Sequence, residues 1–145
     1  MINSGLMTWQ GWAFLSAVFA ALTAIFAKVG VFEINSDMAT LIRTVIILCV
    51  LSLIVLATGQ WEELSAISSR TWLFLTLSAL ATGASWVCYF RALKIGDAAR
   101  VAPVDKLSIV LVAVFGVLLL GERLSAANWL GVGLCTAGIV LIAIR

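Results

Sequence analysis

Residues 38–58 read MATLIRTVIILCVLSLIVLAT, and Arg43 is the one charge among them. From 45 to 56 the apolar residues follow one another without alternating. A strand crossing a bilayer alternates with period two and closes into a barrel, because its polar backbone has no other partners there. A helix satisfies its N–H and C=O groups internally, and about 20 residues of it span a hydrocarbon layer about 30 Å thick. The stretch therefore predicts a transmembrane helix.

Four more stretches of the same kind lie outward from it, at 9–30, 71–90, 101–120 and 128–144. Hydrophobic residues make up 63% of the 145 and charged ones 11%, more apolar surface than a water-soluble domain of this size can hide. The expected fold is an all-α membrane protein with five transmembrane helices, one membrane domain over 1–145. The connections at 31–37, 59–70, 91–100 and 121–127 are too short to hold a catalytic domain. The first stretch has neither a basic leader nor a small-residue cleavage pattern, so it reads as a span and not as a signal peptide.

Composition also excludes several kinds of chemistry. There is no histidine, and Cys49, Cys88 and Cys135 sit singly in three different apolar stretches, so no metal-ligand spacing or disulfide framework is present. No nucleophile–base set is visible. The expectation is no enzyme, no metal and no cofactor. A net charge of +2 gives no reason to expect a nucleic-acid partner.

Five spans place the termini on opposite sides. One side collects seven Lys and Arg residues (Lys28, Arg43, Arg91, Lys94, Arg100, Lys106, Arg145) and the other only Arg70 and Arg123. Cytoplasmic ends carry the excess of Lys and Arg. The N-terminus is thus expected outside and the C-terminus in the cytoplasm, in the inner membrane of the cell. Trp9, Trp12, Trp61, Trp72 and Trp129 fall at the outer helix ends, where an indole prefers the headgroup level.

A charge in a membrane helix costs about 2.5–3.5 kcal/mol at the centre and less near the ends, so embedded charges need a reason. Lys28 ends the first stretch on a face with Ala17, Ala21 and Ala24; Arg43 opens the second; Asp105 and Lys106 open the fourth. Lys28 and Arg43 either snorkel to lipid phosphates or line a solute vestibule, whereas Asp105 calls for a cationic partner among Lys28, Arg43 and Lys106. In the third stretch Ser78, Thr82, Ser85 and Tyr89 recur at steps of four, three and four, which places them on one helical face. They either line a path or bond their own backbone carbonyls. Trp86, the tryptophan away from the outer belt, is positioned to stack on a solute or wall it off. Pro103 either begins the fourth helix or kinks one that starts after Asp97. Gly131 and Gly138 stand seven apart in the fifth stretch, a face that permits close helix contact.

Residues 89–142 carry a wider pattern: YFRALKIGDAARVAPVDKL, then LLLGERLS, then NWLGVGLCTAGIVLI. This resembles the drug/metabolite transporter superfamily, in particular its EamA-type five-helix repeat. The matching positions are Tyr89, Phe90, Ala92 and Leu93 ending helix three; Pro103 early in helix four; Gly121, Glu122 and Arg123 after it; Gly131 and Gly138 in helix five; and Arg43 early in helix two. The resemblance covers essentially the whole chain. It has one repeat where most such proteins have two inverted ones, and the run from Pro103 to Lys106 looks like the single-repeat bacterial/archaeal branch. The last helix is also similar to the dimerising helix of small multidrug resistance proteins. The likeness to those exporters stops at helix one, which lacks their proton-coupling acid.

The resemblance implies a transporter subunit moving a small metabolite or drug-like solute, acting as a dimer of five-helix units. Helices one to four line the path and helix five holds the dimer; the partner is a second copy or an oppositely oriented relative. The alternative is a non-transporting accessory or assembly subunit. The two differ in whether the purified chain alone moves solute.

Overall fold

The computed structural model describes residues 8–144, and every regular element among them is helical. The helices are α1 (Trp9–Gly30), α2 (Ser36–Thr58), α3 (Ser69–Ile95), α4 (Ala98–Asp105), α5 (Ser108–Leu120) and α6 (Ala126–Ile144), with a short 3₁₀ turn at Leu64–Ala66. Among the described residues, five helical segments are long and apolar enough to cross a membrane, α4 and α5 together forming the fourth, Ala98–Leu120. In none of the five is more than 11% of the apolar window buried within the chain. Such uncovered apolar length is tolerated only where lipid or another helix lies against it.

The helices fall into two compact units. One, Ala27–Ile95, contains the last turn of α1, α2 and α3. Its turn at 31–35 leads into α2 through Asn35, whose Oδ1 accepts from the backbone N–H groups of Asp37 (2.8 Å) and Met38 (3.4 Å). Two of the donors that a helix start leaves orphaned are thereby satisfied, and Asp37 puts a negative charge in the positive first turn. At the far end Gly59 takes φ +65°, its N–H bonding Leu56 and that of Gln60 bonding Val55. That closure needs a left-handed residue, which glycine adopts without the Cβ penalty. Ser68 opens α3, its hydroxyl accepting from Thr71 N–H at 3.1 Å. The tightest packing lies at the opposite end of the unit, where Val31, Phe90 and Leu93 are buried.

Helix α3 runs five residues beyond the stretch expected at 71–90, and α2 begins two residues before 38. Hydropathy falls at the first charge, but Arg and Lys are good helix formers and the backbone continues through them. Of the expected connection at 91–100, only Gly96 and Asp97 lie outside a helix.

The other unit joins residues 8–26 to 96–144. Here the fourth span begins at Ala98, not 101, so Pro103 lies inside the helix. Proline has no N–H to give the carbonyl four residues back. Downstream the ladder tightens: Lys106 N–H bonds Pro103, Leu107 bonds Val104, Ile109 bonds Lys106 and Val110 bonds Leu107, all at 2.9–3.0 Å. Those are three-residue steps, and they divide the span into α4 and α5 at 106–107. Both α4 and α5 pack on α6. Ser125 caps α6, its hydroxyl accepting from Asn128 N–H at 3.2 Å, and Arg100 reaches the other end to donate to the Ala143 carbonyl at 3.0 Å.

Candidate functional site

Helices α2 and α3 pack directly together, and between them runs a groove of about 520 Å³. Asp37, Thr40, Leu41 and Thr44 line it from α2; Ala79, Thr82, Gly83, Trp86 and Val87 line it from α3. From Asp37 to Thr44 is seven steps of α2, so the groove extends about 10 Å along that helix at 1.5 Å per residue. Its width depends on Gly83, where a Cβ would meet no atom within 4 Å.

At one end the two helices are joined by charge. Arg91 grips Asp37 with both arms of its guanidinium, Nε donating to Oδ1 at 3.0 Å and Nη2 to Oδ2 at 2.7 Å. This forked geometry fixes orientation as well as distance. Around it, Lys94 Nζ donates to the Ile34 carbonyl, and Lys28 Nζ to the Leu93 carbonyl at 2.7 Å. Lys28 thus ties the last turn of α1 to the last turn of α3, where a cation also meets the negative end of the helix.

Arg43, which is not among the groove's lining residues, lies nearly two turns further along α2. Its guanidinium carbon sits 4.4 Å from the centroid of the Trp86 ring and 5.5 Å from that of Phe90. A cation over an aromatic face is held by the ring quadrupole, more strongly as water is removed. Among the six tryptophans, Trp86 is the half-buried one; Trp9, Trp12, Trp61, Trp72 and Trp129 are exposed.

The hydroxyls divide by position. Thr82 lines the groove with Trp86, whereas Ser78, Ser85 and Tyr89 are not among its lining residues. Thr82 Oγ1 bonds the Ser78 carbonyl at 2.9 Å. In α2, Thr40 Oγ1 bonds Ser36 O at 2.9 Å and Thr44 Oγ1 bonds Thr40 O at 2.8 Å. Asp37, Thr40, Thr44 and Gly83 escaped the sequence reading. A signal was available: Ser36, Thr40 and Thr44 recur at steps of four, a one-face helical spacing of the kind that drew attention to α3.

The remaining candidates lie in the other unit. Asp105 pairs with its neighbour Lys106 at 3.1 Å, one of the three cations proposed for it. Gly131 and Gly138 are exposed on α6, and a Cβ at either would meet no atom within 4 Å.

Five long apolar helices, little covered within the chain, define a polytopic helical membrane protein. The chain belongs to the EamA-like transporter family, whose model matches residues 7–144. It is similar to an uncharacterized transporter in the cobO 3′ region of a Sinorhizobium species, with 71% identity over 137 residues, covering 94% of this chain and 97% of that one. No solved structure matches it.

Proposed function

We propose that this membrane transporter carries a small metabolite or drug-like solute along the α2–α3 groove, and that it works as a dimer. The groove itself carries the reading: it runs from a charged helix end along two membrane-spanning helices, lined by apolar side chains with three threonines and Trp86 among them. Purely structural contact between two membrane helices would close over such a space with small side chains. Single cysteines replacing Thr44 and Thr82, with Cys49, Cys88 and Cys135 removed, are expected to react with a water-soluble thiol reagent. A cysteine replacing Leu53 on the lipid side is expected not to. Equal labelling at all three positions would leave the groove as ordinary packing.

The second copy is assigned to the open Gly131–Gly138 face of α6, where a partner helix can approach backbone to backbone. Gly131→Leu or Gly138→Leu should weaken self-association while the chain still inserts, as read by cross-linking and by size in detergent. Unchanged cross-linking in both variants removes α6 as the contact. The excess of Lys and Arg supports a cytoplasmic C-terminus in the inner membrane. A C-terminal reporter active only in the periplasm would reverse that orientation.

A further inference from the structure

We infer that the groove selects uncharged, largely apolar solutes that carry a hydrogen-bond acceptor, and that the indole N–H of Trp86 receives that acceptor. This rests on the groove being the solute path.

Hydrogen-bond supply and demand lead to it. A volume of about 520 Å³ suits a small molecule, and sites for such molecules are mostly apolar with a few placed polar groups. The surface of this groove is almost wholly apolar, with Leu41, Ala79, Gly83 and Val87 in its lining. Thr40, Thr44 and Thr82 each donate their one hydroxyl proton to a backbone carbonyl of their own helix, so none has a second to give a solute. Trp86 is the exception. Its half-buried side chain lines the groove, and its indole N–H forms no hydrogen bond among the described residues. Nor is that N–H sealed away, since among the described residues no buried side-chain nitrogen or oxygen lacks a partner. A solute oxygen can therefore reach the one side-chain donor that the lining still offers.

Charge complementarity gives the same class. Asp37, the one ionisable side chain of the lining, has both carboxylate oxygens engaged by Arg91. An anion finds no cation in the lining, because Arg43 lies outside it. A cation finds Asp37 already neutralised. It also finds the Trp86 ring already holding the Arg43 guanidinium, 4.4 Å from its centroid, and a second cation there is repelled by the first. Either ion would shed water without gaining a partner, a cost that an uncharged molecule escapes.

The test follows water-soluble thiol labelling of Thr44→Cys in proteoliposomes of the full chain, with Cys49, Cys88 and Cys135 removed. Protection is measured with four probes of one skeleton: 3-phenylpropanamide, 3-phenylpropanoate, 3-phenylpropylamine (a cation at neutral pH) and propylbenzene. The amide is expected to protect, and the anion and the cation to need concentrations at least about tenfold higher. Trp86→Phe keeps an aromatic ring and removes the N–H. It should raise the half-protecting concentration of the amide by about threefold to tenfold more than that of propylbenzene, which has no acceptor. The assignment is overturned if no probe protects, or if the anion or the amine protects as well as the amide. It is also overturned if Trp86→Phe shifts amide and propylbenzene alike, the mark of an apolar surface that lipid chains fill. Labelling of Thr44→Cys no greater than that of Leu53→Cys removes the path and this assignment together. Labelling that stops in Gly83→Leu, yet shows no preference for the amide, removes the assignment alone.

Discussion

Trp86→Ala is expected to lower the stability of the chain and most of its transport together, because it takes away the ring on which Arg43 rests. The guanidinium lies 4.4 Å from that ring, inside a membrane span. A cation–π contact is worth about 0.5–1 kcal/mol when exposed and about 2 kcal/mol when desolvated. Without the ring, Arg43 must be solvated where burying a charge is itself costly. Trp86→Phe keeps an aromatic face and should lose less. A double-mutant cycle of Arg43→Ala with Trp86→Ala isolates the pair, with an expected coupling of about 1–2 kcal/mol. Additivity within about 0.5 kcal/mol would mean that the two residues act separately.

Gly83→Leu should have the opposite signature: a stable protein that does not transport. A Cβ at Gly83 meets nothing within 4 Å, so the backbone there accepts a side chain, and that of Leu is expected to project into the groove. Replacing a mid-helix glycine also favours the helix by roughly 0.5–1 kcal/mol. Thermal stability is expected to hold or rise, while labelling of cysteines at Thr44 and Thr82 falls to the level of the Leu53 control. Undiminished labelling would place the water-accessible route elsewhere.

The spans were legible because hydropathy and helix period agree over 20 residues at a time. Their ends were not. Arg91 and Lys94 read as a connection, yet both are helical, because their side chains find Asp37 and the Ile34 carbonyl across the α2–α3 pair. The break at 106–107 was half visible: Pro103 announced a disturbance, but where α4 begins decides whether that proline is a start or an interruption. Thr82 and Trp86 could be found because a polar face stands out in α3. Thr40 and Thr44 were overlooked beside the conspicuous charge of Arg43. Gly83 could not be recognised at all, since an empty position acquires meaning only when the opposite helix is in place.

The central claim is that this chain moves solute through the α2–α3 groove. The direct measurement loads proteoliposomes of the purified protein with a cell metabolite extract and follows what leaves by mass spectrometry. Wild-type vesicles should release at least one metabolite far faster than vesicles carrying Gly83→Leu or none at all. Equal release of every metabolite from wild-type and Gly83→Leu vesicles would contradict the account.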